Sequence, residues 1–245
     1  RQVKALGGEL IMECRPELIP LIAGMNVVDR LVAKADPLPE ADFHFYQCSL
    51  PGLYTASLAS IPRRPYLQPD PRRLSKFAAA MDRGKGKLRV GIVWSGSVTF
   101  EANSDRAVPL RMFLQWFTLP GVQLYSLQKG PPESELTRMP DGAPIIDLAP
   151  LLEDFADTAA AVSTLDLVLM TDSAVVHLAG AMGKPVWALL NFVPHWLWLS
   201  DRNDSPWYPS VRLFRQHAWG DWTGVFDRAA ADLIKWSDEF RRRGS

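Results

Sequence analysis

This chain has few cysteines, no excess of charge of either sign and no long hydrophobic run. Only two of its 245 residues are cysteine, and its 27 Lys and Arg residues equal its 27 Asp and Glu residues. Without a basic excess there is no overall field to attract nucleic acid, which we therefore exclude as a partner. No apolar run approaches the ~18 residues that a membrane span needs, and no signal-peptide pattern opens the chain. We therefore expect a cytoplasmic protein.

The two cysteines also limit the chemistry. Cys14 and Cys48 show neither CxxC nor Cys/His spacing, and the segments around them are apolar and strand-like. This pattern favours buried, reduced thiols over a disulfide or a structural zinc site. We expect no metal.

The residues that are present alternate between strand-like and helix-like patterns. Hydrophobic residues make up 47% of the chain, enough for a sizeable core. The alternation predicts an α/β protein with mostly parallel sheets covered on both faces. The predicted strands are 9–14, 27–33, 42–47, 88–94, 122–127, 145–148, 165–170 and 186–190, and the predicted helices include 16–25, 109–118, a helix through 158, 174–182 and 223–242. The proline-rich stretch 62–73 predicts an extended connection, with a domain boundary between about residues 63 and 88.

The stretch 165–190 carries the strongest signal. A buried strand leads to the polar cluster Thr171-Asp172-Ser173, which opens a helix of small residues beginning at Ala174. The helix is stopped by Gly183 and Pro185, and a second buried strand follows. Because the first N–H groups of a helix are unpaired, its N-terminus is a ready site for a phosphate. The pattern predicts phosphate or nucleotide binding.

Other polar residues follow neighbouring predicted strands, at the edge where ligands bind in open α/β sheets. Ser95 and Gly96 follow the strand 88–94, although a plain turn explains them equally well. Gln128 and Lys129 follow the strand 122–127, and Lys129 is either a phosphate-binding cation or a solvated surface lysine. Arg106 is a second candidate cation with the same two interpretations.

Several of these candidates also have structural interpretations. His177 lies inside the helix, as a packing residue or as a hydrogen-bond partner of a ligand sugar or phosphate. Asp172 serves as the helix N-cap, as a ligand contact, or as both. Asp154, Asp157 and Thr158 open the preceding helix, where capping is favoured over ligand contact.

The last third of the chain is rich in aromatic residues. Most of them should pack in the core, while Trp207 or Tyr208 is a candidate to stack on a base or sugar. Residues 223–242 have the spacing of an amphipathic closing helix.

Together, several ordered runs resemble a known family. They are VGIVWSG, DRAVPL, GVQLYSLQKGP, DFADTAA, LDLVLMTDSAVVHLAGAMGKPVWALL and DSPWYPSVRLFRQ. They resemble the glycosyltransferase-like domain found at the C-terminus of many bacterial tetratricopeptide-repeat proteins. That domain is similar to the family 9 glycosyltransferases, the heptosyltransferases of lipopolysaccharide synthesis, and more distantly to O-linked N-acetylglucosamine transferases. The resemblance is dense over 88–221 and looser over 7–67.

The resemblance implies a GT-B fold of two Rossmann-like domains, the N-terminal one incomplete. Residues 1–75 would be a partial acceptor-side domain, 76–221 the domain that binds the nucleotide-sugar, and 222–245 a helix that crosses back to the first domain. It implies no cofactor and no metal, because cations and helix dipoles neutralise the leaving diphosphate. The acceptor would be an unknown glycan, lipid or protein. A peripheral location at the inner membrane and a tetratricopeptide-repeat region in a full-length protein are compatible with the family.

The resemblance also assigns donor-binding residues. In the family the Asp-Thr/Ser-small-x-x-His turn surrounds the donor diphosphate, a lysine follows the second strand, and a Trp-Ser-Gly turn follows the first. With the candidates above, the donor set is Ser95, Gly96, Arg106, Gln128, Lys129, Asp157, Thr158, Asp172, Ser173, Ala174 and His177.

The chain departs from the family at three points. The Gly-x-Gly-Asp loop that carries the catalytic aspartate in heptosyltransferases does not occur in it, so the general base is unassigned. Ala174 replaces a glycine, and His195 replaces the aspartate of a Pro-Asp-Trp motif. A catalytically inactive nucleotide-sugar-binding module and a GT-B sugar-nucleotide epimerase are therefore kept as alternatives.

Overall fold

The computed structural model describes residues 2–55, 57–139 and 144–243. It contains two parallel sheets. The smaller pairs β1 (Ile11–Cys14) with β2 (Arg30–Ala33), joined through α1 (Ile19–Ala23). A short helix, α2 (Leu50–Tyr54), follows. These elements confirm the predicted strand–helix–strand unit near the start of the chain.

The larger sheet has six parallel strands in the order β5-β4-β3-β6-β7-β8. Its strands are β3 (Leu88–Val93), β4 (Val122–Ser126), β5 (Ile145–Asp147), β6 (Leu167–Thr171), β7 (Val186–Leu190) and β8 (Val211–Arg215). The α-helices around it are α3 (Ala78–Asp82), α4 (Asn103–Arg106), α5 (Phe155–Ser163), α6 (Ala174–Ala181) and α7 (Trp222–Arg243). From β3 the chain adds β4 and β5 on one side, and it then returns to add β6, β7 and β8 on the other side. This is the strand order of a Rossmann domain. The predicted α/β class is confirmed.

Both faces of this sheet are covered. Leu167 and Leu169 point into one hydrophobic cluster with the last helix, whereas Val168 and Met170 point into the other with α5 and α6. The two-residue period of a strand produces this division, and burial on both faces explains the continuous apolar run in the sequence.

Helix α7 packs on the larger sheet. Its contacts are with β7, β8 and a 3-10 helix, Leu110–Trp116. The Phe226 ring stacks on Trp116 with centroids 5.0 Å apart, and Ser237 Oγ donates to Pro120 O at 2.8 Å. The predicted division into domains, and the crossing of 222–245 to the first unit, stay predictions; residues 244 and 245 lie outside the described part. None of the helices in the described ranges combines the length and apolarity needed to cross a membrane.

The connection between the two units has no helix or strand from residue 62 to 70, with a bend at Arg64, and then forms a 3-10 helix, Pro71–Phe77. Tyr66 N and Leu67 N both donate to Ala181 O, at 2.9 and 3.2 Å, which attaches the connection to the end of α6. Leu21 of α1 packs with Ala159 of α5 and Leu178 of α6. The smaller unit therefore rests on two helices of the larger one.

Three expectations about local structure were wrong. Residues 42–47 do not form a strand; Phe43 and Phe45 alternate as a strand would, but both rings are exposed and the backbone pairs with no neighbour among the described residues. The segment 109–118 forms a 3-10 helix, not an α-helix. Cys48 lies exposed in another 3-10 helix, and Cys14 is only partly buried. Burial nevertheless raises the pKa of the Cys14 thiol.

Candidate functional site

The carboxyl ends of three adjacent strands bring most of the predicted residues to one edge of the larger sheet. Ser95 and Gly96 follow β3, Gln128 and Lys129 follow β4, and the turn at Asp172 follows β6. In the observed strand order, the gap between β3 and β6 is the switch point at which parallel α/β sheets bind ligands. We call these loops, together with the N-terminus of α6, the switch-point edge.

The Gln128 side chain holds two of these loops together. Its Oε1 accepts hydrogen bonds from Trp94 N at 3.0 Å and Ser95 N at 2.9 Å, and its Nε2 donates to Ser95 O and Lys129 O. These four bonds use the whole amide, which is buried. Gln128 therefore shapes the switch-point edge.

Arg106 lies directly against the turn after β3. A Cβ at Gly96 would come within 2.7 Å of a terminal Arg106 nitrogen and 2.8 Å of Asn103 Oδ1, so a side chain at this position would push both groups away from the turn. The guanidinium lies 4.3 Å from the centre of the Phe100 ring. Its Nε is buried without a hydrogen-bond partner among the described residues. A guanidinium with a buried, unused donor is suited to bind an anion.

Asn103 was missed in the sequence analysis. Its Nδ2 donates to Ser95 Oγ at 3.0 Å, while its Oδ1 is buried and has no partner within the described ranges. Its position in α4, beside Arg106, depends on how the loop folds back on Gly96. No local pattern marked it.

Helix α6 begins at Ala174, and its N-cap is Ser173. Ser173 has an extended backbone, φ −154° and ψ 178°, and its hydroxyl makes no capping hydrogen bond. Of the interpretations given above for Asp172, the N-cap role is therefore wrong, because Asp172 lies one residue before the N-cap. Its carboxyl is buried, and in the described part of the chain no hydrogen bond reaches it. The first N–H groups of α6 consequently have no side-chain cap.

His177 lies one turn into α6 and is fixed by two aromatic neighbours. Its ring stacks on Trp198, with centroids 5.3 Å apart and planes 10° apart, and its Nδ1 is 3.3 Å from the Tyr208 hydroxyl. Burial lowers the pKa of His177; the negative charge of Asp172 opposes this, and the positive charges of His195 and Arg106 add to it. The imidazole is therefore neutral near pH 7.

The hydrogen bond at Nδ1 is linked to the tautomer of His177. Tyr208 donates to Nδ1 when the imidazole proton is on Nε2, and accepts from Nδ1 when the proton is there. Burial and interaction with Tyr66 raise the pKa of the Tyr208 phenol, so Tyr208 keeps its own proton in either case. Asp172 and Arg106 lie close enough to His177 to affect its charge.

Lys129 brings an ammonium group to the same edge. Its side chain is half exposed, and Nζ donates to Ala149 O at 3.0 Å in the loop after β5. Glu133 Oε1 is 3.8 Å away, but the same oxygen also accepts from Gly130 N. A carbonyl oxygen and one shared carboxylate compensate the positive charge of Lys129 only partly. Lys129 can therefore still attract an anion.

Asp157 and Thr158 lie at the N-terminus of α5 and are engaged by the protein. Asp154 caps the helix by accepting from Asp157 N at 2.9 Å, as the sequence favoured, and Thr158 Oγ1 donates to Asp154 O. The Asp157 carboxylate is 2% exposed and accepts from Arg73 and Lys76, both at 2.7 Å. Burial alone would raise the pKa of Asp157, but hydrogen bonds from Lys76 and Arg73 hold it below its usual range.

Arg73 and Lys76 were also missed by the sequence analysis. They lie more than 70 residues before α5, in the 3-10 helix Pro71–Phe77, and sequence spacing gives no sign of the pairing. Together with Asp157 they form an ion cluster that joins the connection to the larger domain.

Within the described ranges, no group of three or more His, Cys, Asp or Glu side chains could hold a metal ion. The positive charges at the switch-point edge come from Arg106 and Lys129. The chemistry available there is hydrogen bonding and electrostatic stabilisation of an anion.

Solved structures with a similar fold are known, and one curated protein is similar in sequence. No family model matches the chain. It is 31% identical over 191 residues to protein FlbA of Caulobacter vibrioides, a match that covers 75% of this chain and 31% of FlbA. Among solved structures it is similar to Escherichia coli ADP-heptose lipopolysaccharide heptosyltransferase II, with a TM-score of 0.53 and 14% sequence identity. This match covers 76% of this chain and 59% of that chain. A family 9 glycosyl transferase from Veillonella parvula gives a TM-score of 0.48 at 15% identity, over 70% of this chain and 54% of that one.

The chain thus spans less than two thirds of FlbA and of heptosyltransferase II. At 14% identity, the likeness to heptosyltransferase II shows the fold alone. The fold is that of the GT-B glycosyltransferases, with parallel α/β sheets, as the resemblance implied.

Proposed function

We propose that this chain is the donor-binding part of a metal-independent glycosyltransferase that transfers a sugar from a nucleotide-sugar to an acceptor. The observation that carries the proposal is the convergence of Arg106, Lys129, the uncapped N-terminus of α6 and neutral His177 on one edge of the sheet. This edge is the topological switch point of a Rossmann sheet. The GT-B fold gives independent support.

The arrangement suits a diphosphate leaving group. As the bond to the sugar breaks, negative charge develops on the diphosphate, and fixed donors that already point there stabilise it most effectively. Arg106 and Lys129 supply positive charge, and the first N–H groups of α6 supply donors with the helix dipole behind them. A neutral His177 adds one N–H donor without adding charge.

The other predicted donor residues hold these diphosphate-binding groups in position. Gln128 and Ser95 fix the loops, Gly96 admits Arg106, and Asp157 with Thr158 anchors the start of α5. We therefore propose direct donor contact for Ser173, Ala174 and the groups named above, and positioning roles for the rest.

The acceptor side is proposed only in outline. The acceptor would be a glycan, lipid or protein, held by the smaller unit and by further chain of the kind that FlbA contains beyond this match. Association with tetratricopeptide repeats and with the inner-membrane surface, and the distant similarity to O-linked N-acetylglucosamine transferases, stay predictions.

A second candidate is a nucleotide-sugar-binding module without transferase activity. Several carboxylates near the edge are already engaged: Glu135 accepts from Trp94 Nε1 and Leu110 N, Glu133 from Gly130 N, and Asp157 from two cations. None of these three is free to act as the base that an inverting transfer requires.

Calorimetric titration with UDP, GDP and ADP and their common sugars tests the donor site. We expect one nucleotide to bind, and Lys129→Ala or Arg106→Ala to weaken binding at least tenfold, or about 1.4 kcal/mol. Lys85→Ala, an exposed lysine in the turn before β3, is the matched control and should bind as the parent does.

Two outcomes would count against the proposal: no saturable binding by the folded chain, or equal weakening by Lys85→Ala and Lys129→Ala. Release of nucleoside diphosphate from the preferred nucleotide-sugar separates the two candidates. Turnover favours the transferase, because the binding module would hold the nucleotide-sugar without breaking the bond to its sugar.

A further inference from the structure

A cavity of 310 Å³ lies on the side of the larger domain opposite to the switch-point edge. It opens between the connection and the segment that leads into β8, beside the last turn of α6. Because α6 starts at the carboxyl edge of the sheet and ends at the amino edge, this cavity is separate from the candidate donor site. Its walls include Arg63, Arg64, Tyr66, Trp207, Tyr208 and Ser210.

Close packing preforms the cavity. A Cβ at Gly180 would be 2.6 Å from Tyr208 Cγ, and one at Gly183 would be 2.5 Å from Pro65 Cγ, so both glycines are needed for the walls to approach α6. The backbone of Tyr66 is fixed by its hydrogen bond to Ala181 O. The Trp207 indole donates to Leu197 O at 3.1 Å, which sets the orientation of its ring.

The charge on the cavity rim is positive and poorly compensated. Arg63 and Arg64 are exposed, and neither forms an ion pair with any described residue. Asp204 is close enough to Arg63 for its pKa to be affected, but its two oxygens are already bound by Arg202, both at 2.7 Å. Two guanidinium groups that share no carboxylate are suited to a carboxylate or phosphate ligand.

The remaining walls favour a ring-shaped ligand with hydroxyl groups. Tyr66, Trp207 and Tyr208 contribute aromatic surface. Ser210 Oγ is buried and has no hydrogen-bond partner within the described part of the chain. Unpartnered buried hydroxyls are uncommon. This one is covered by protein, and a ligand hydroxyl would satisfy it once the Ser210 side chain rotates about χ1 toward the cavity. The volume is at the lower end of the range for small-molecule sites, about 300–1,000 Å³.

We propose that this cavity is a second binding site, which takes a small anionic sugar: a monosaccharide that carries a phosphate or carboxylate group. The anion binds Arg63 and Arg64, and the sugar ring lies against the aromatic wall with a hydroxyl near Ser210. This site does not depend on the proposed donor site. Tyr208 nevertheless touches both, because its ring lines the cavity and its hydroxyl meets His177.

Titration of the chain with glucose 6-phosphate and with glucuronate tests the proposal, using glucose and inorganic phosphate as the single-feature controls. We expect one of the anionic sugars to bind at a single site and glucose to bind at least tenfold more weakly. The double variant Arg63→Ala/Arg64→Ala should weaken binding at least tenfold, about 1.4 kcal/mol. Arg83→Ala removes a similarly exposed arginine after α3 and should have no effect.

Four results would overturn the proposal. They are the absence of saturable binding, binding that survives in the double variant, binding of inorganic phosphate as tight as that of the anionic sugar, and loss of binding on Lys129→Ala. The last result would move the anion to the switch-point edge. The choice between glucose 6-phosphate and glucuronate identifies the anionic group.

Discussion

Replacing Asp157 by asparagine should destabilise the protein by removing the charge at the centre of the ion cluster. The Asp157 carboxylate is 2% exposed and accepts from Arg73, Lys76 and the backbone N–H of Glu153. An asparagine at this position would keep the size of the side chain but lose its charge, and its amide group would face a cation. The substitution therefore tests electrostatics with little change in packing.

The magnitude follows from the exposure of the partners. Breaking a fully buried ion pair costs about 3–5 kcal/mol, since an uncompensated charge stays buried. Here Arg73 and Lys76 are each 28% exposed, and they retain Asp154 and Glu153 as partners. We therefore expect a smaller loss, about 2–3 kcal/mol in the free energy of unfolding. For a chain of this length that corresponds to a fall in Tm of about 4–12 °C.

The loss should depend on pH with a definite sign. The pKa of Asp157 is lowered from its ordinary value of 3.8 by the folded protein, so its ionised form favours folding. This contribution is fully present above the unfolded pKa and disappears as the pH falls through the lower folded value. The stability difference between parent and Asp157→Asn should be constant near neutrality and shrink below about pH 4.

Urea unfolding at neutral and acidic pH measures both quantities. Glu153→Gln is the matched control, because Glu153 bonds the same Lys76 but is 78% exposed, and its loss should cost less than about 1 kcal/mol. The reasoning is refuted if Asp157→Asn is no more destabilising than Glu153→Gln, or if the difference persists undiminished in acid.

Four further predictions concern the helix α6 region and the core. Gly180→Ala should cost about 1–3 kcal/mol in unfolding free energy, because its Cβ meets the Tyr208 ring, and parental stability would contradict this. Tyr208→Phe should leave the fold intact but shift the tautomer balance of His177 in ¹⁵N NMR spectra, because Nδ1 loses its hydrogen-bond partner; unchanged ¹⁵N shifts would argue against this hydrogen bond. His177 should titrate below its ordinary pKa of 6.5, because burial disfavours the imidazolium, and an NMR midpoint at or above that value would show the opposite. Phe226→Ala should cost about 3–5 kcal/mol, since its buried ring stacks on Trp116; urea unfolding that gives less than about 1 kcal/mol would disprove the packing argument.

Five of the six strands of the larger sheet could be predicted, because their local composition reflects their burial. Strand β8 was not predicted, because the exposed Arg212 interrupts its apolar run. Runs such as 167–170 and 186–190 are apolar throughout, short, and bounded by polar or glycine-containing turns, which is what burial on both faces of a parallel sheet requires. Once the strands are parallel, the residues after them must share an edge. The neighbourhood of Ser95, Lys129 and Asp172 followed from this geometry.

The segment 42–47 shows where local pattern is insufficient. Phe43 and Phe45 alternate with polar residues as in a strand, yet a strand exists only if a neighbouring backbone pairs with it. In the structure Gln47 Nε2 donates to Glu13 O of β1, but no strand ladder follows among the described residues. Pairing is a property of two segments, and the alternation of one cannot reveal it.

The same limit applies to the polar residues. Composition and periodicity were enough to predict the α/β class, five strands of the larger sheet and the edge that the polar residues after three of those strands share. Which charges are neutralised there was decided by tertiary packing: Asp157 is paired by Arg73 and Lys76, whereas the Asp172 carboxyl one helix later receives no hydrogen bond within the described ranges. Both are aspartates near the start of a helix, so the local sequence does not distinguish them. They differ because ion pairing requires atoms within about 4 Å. Only the folded chain brings residues that are 81 and 84 positions apart to that distance.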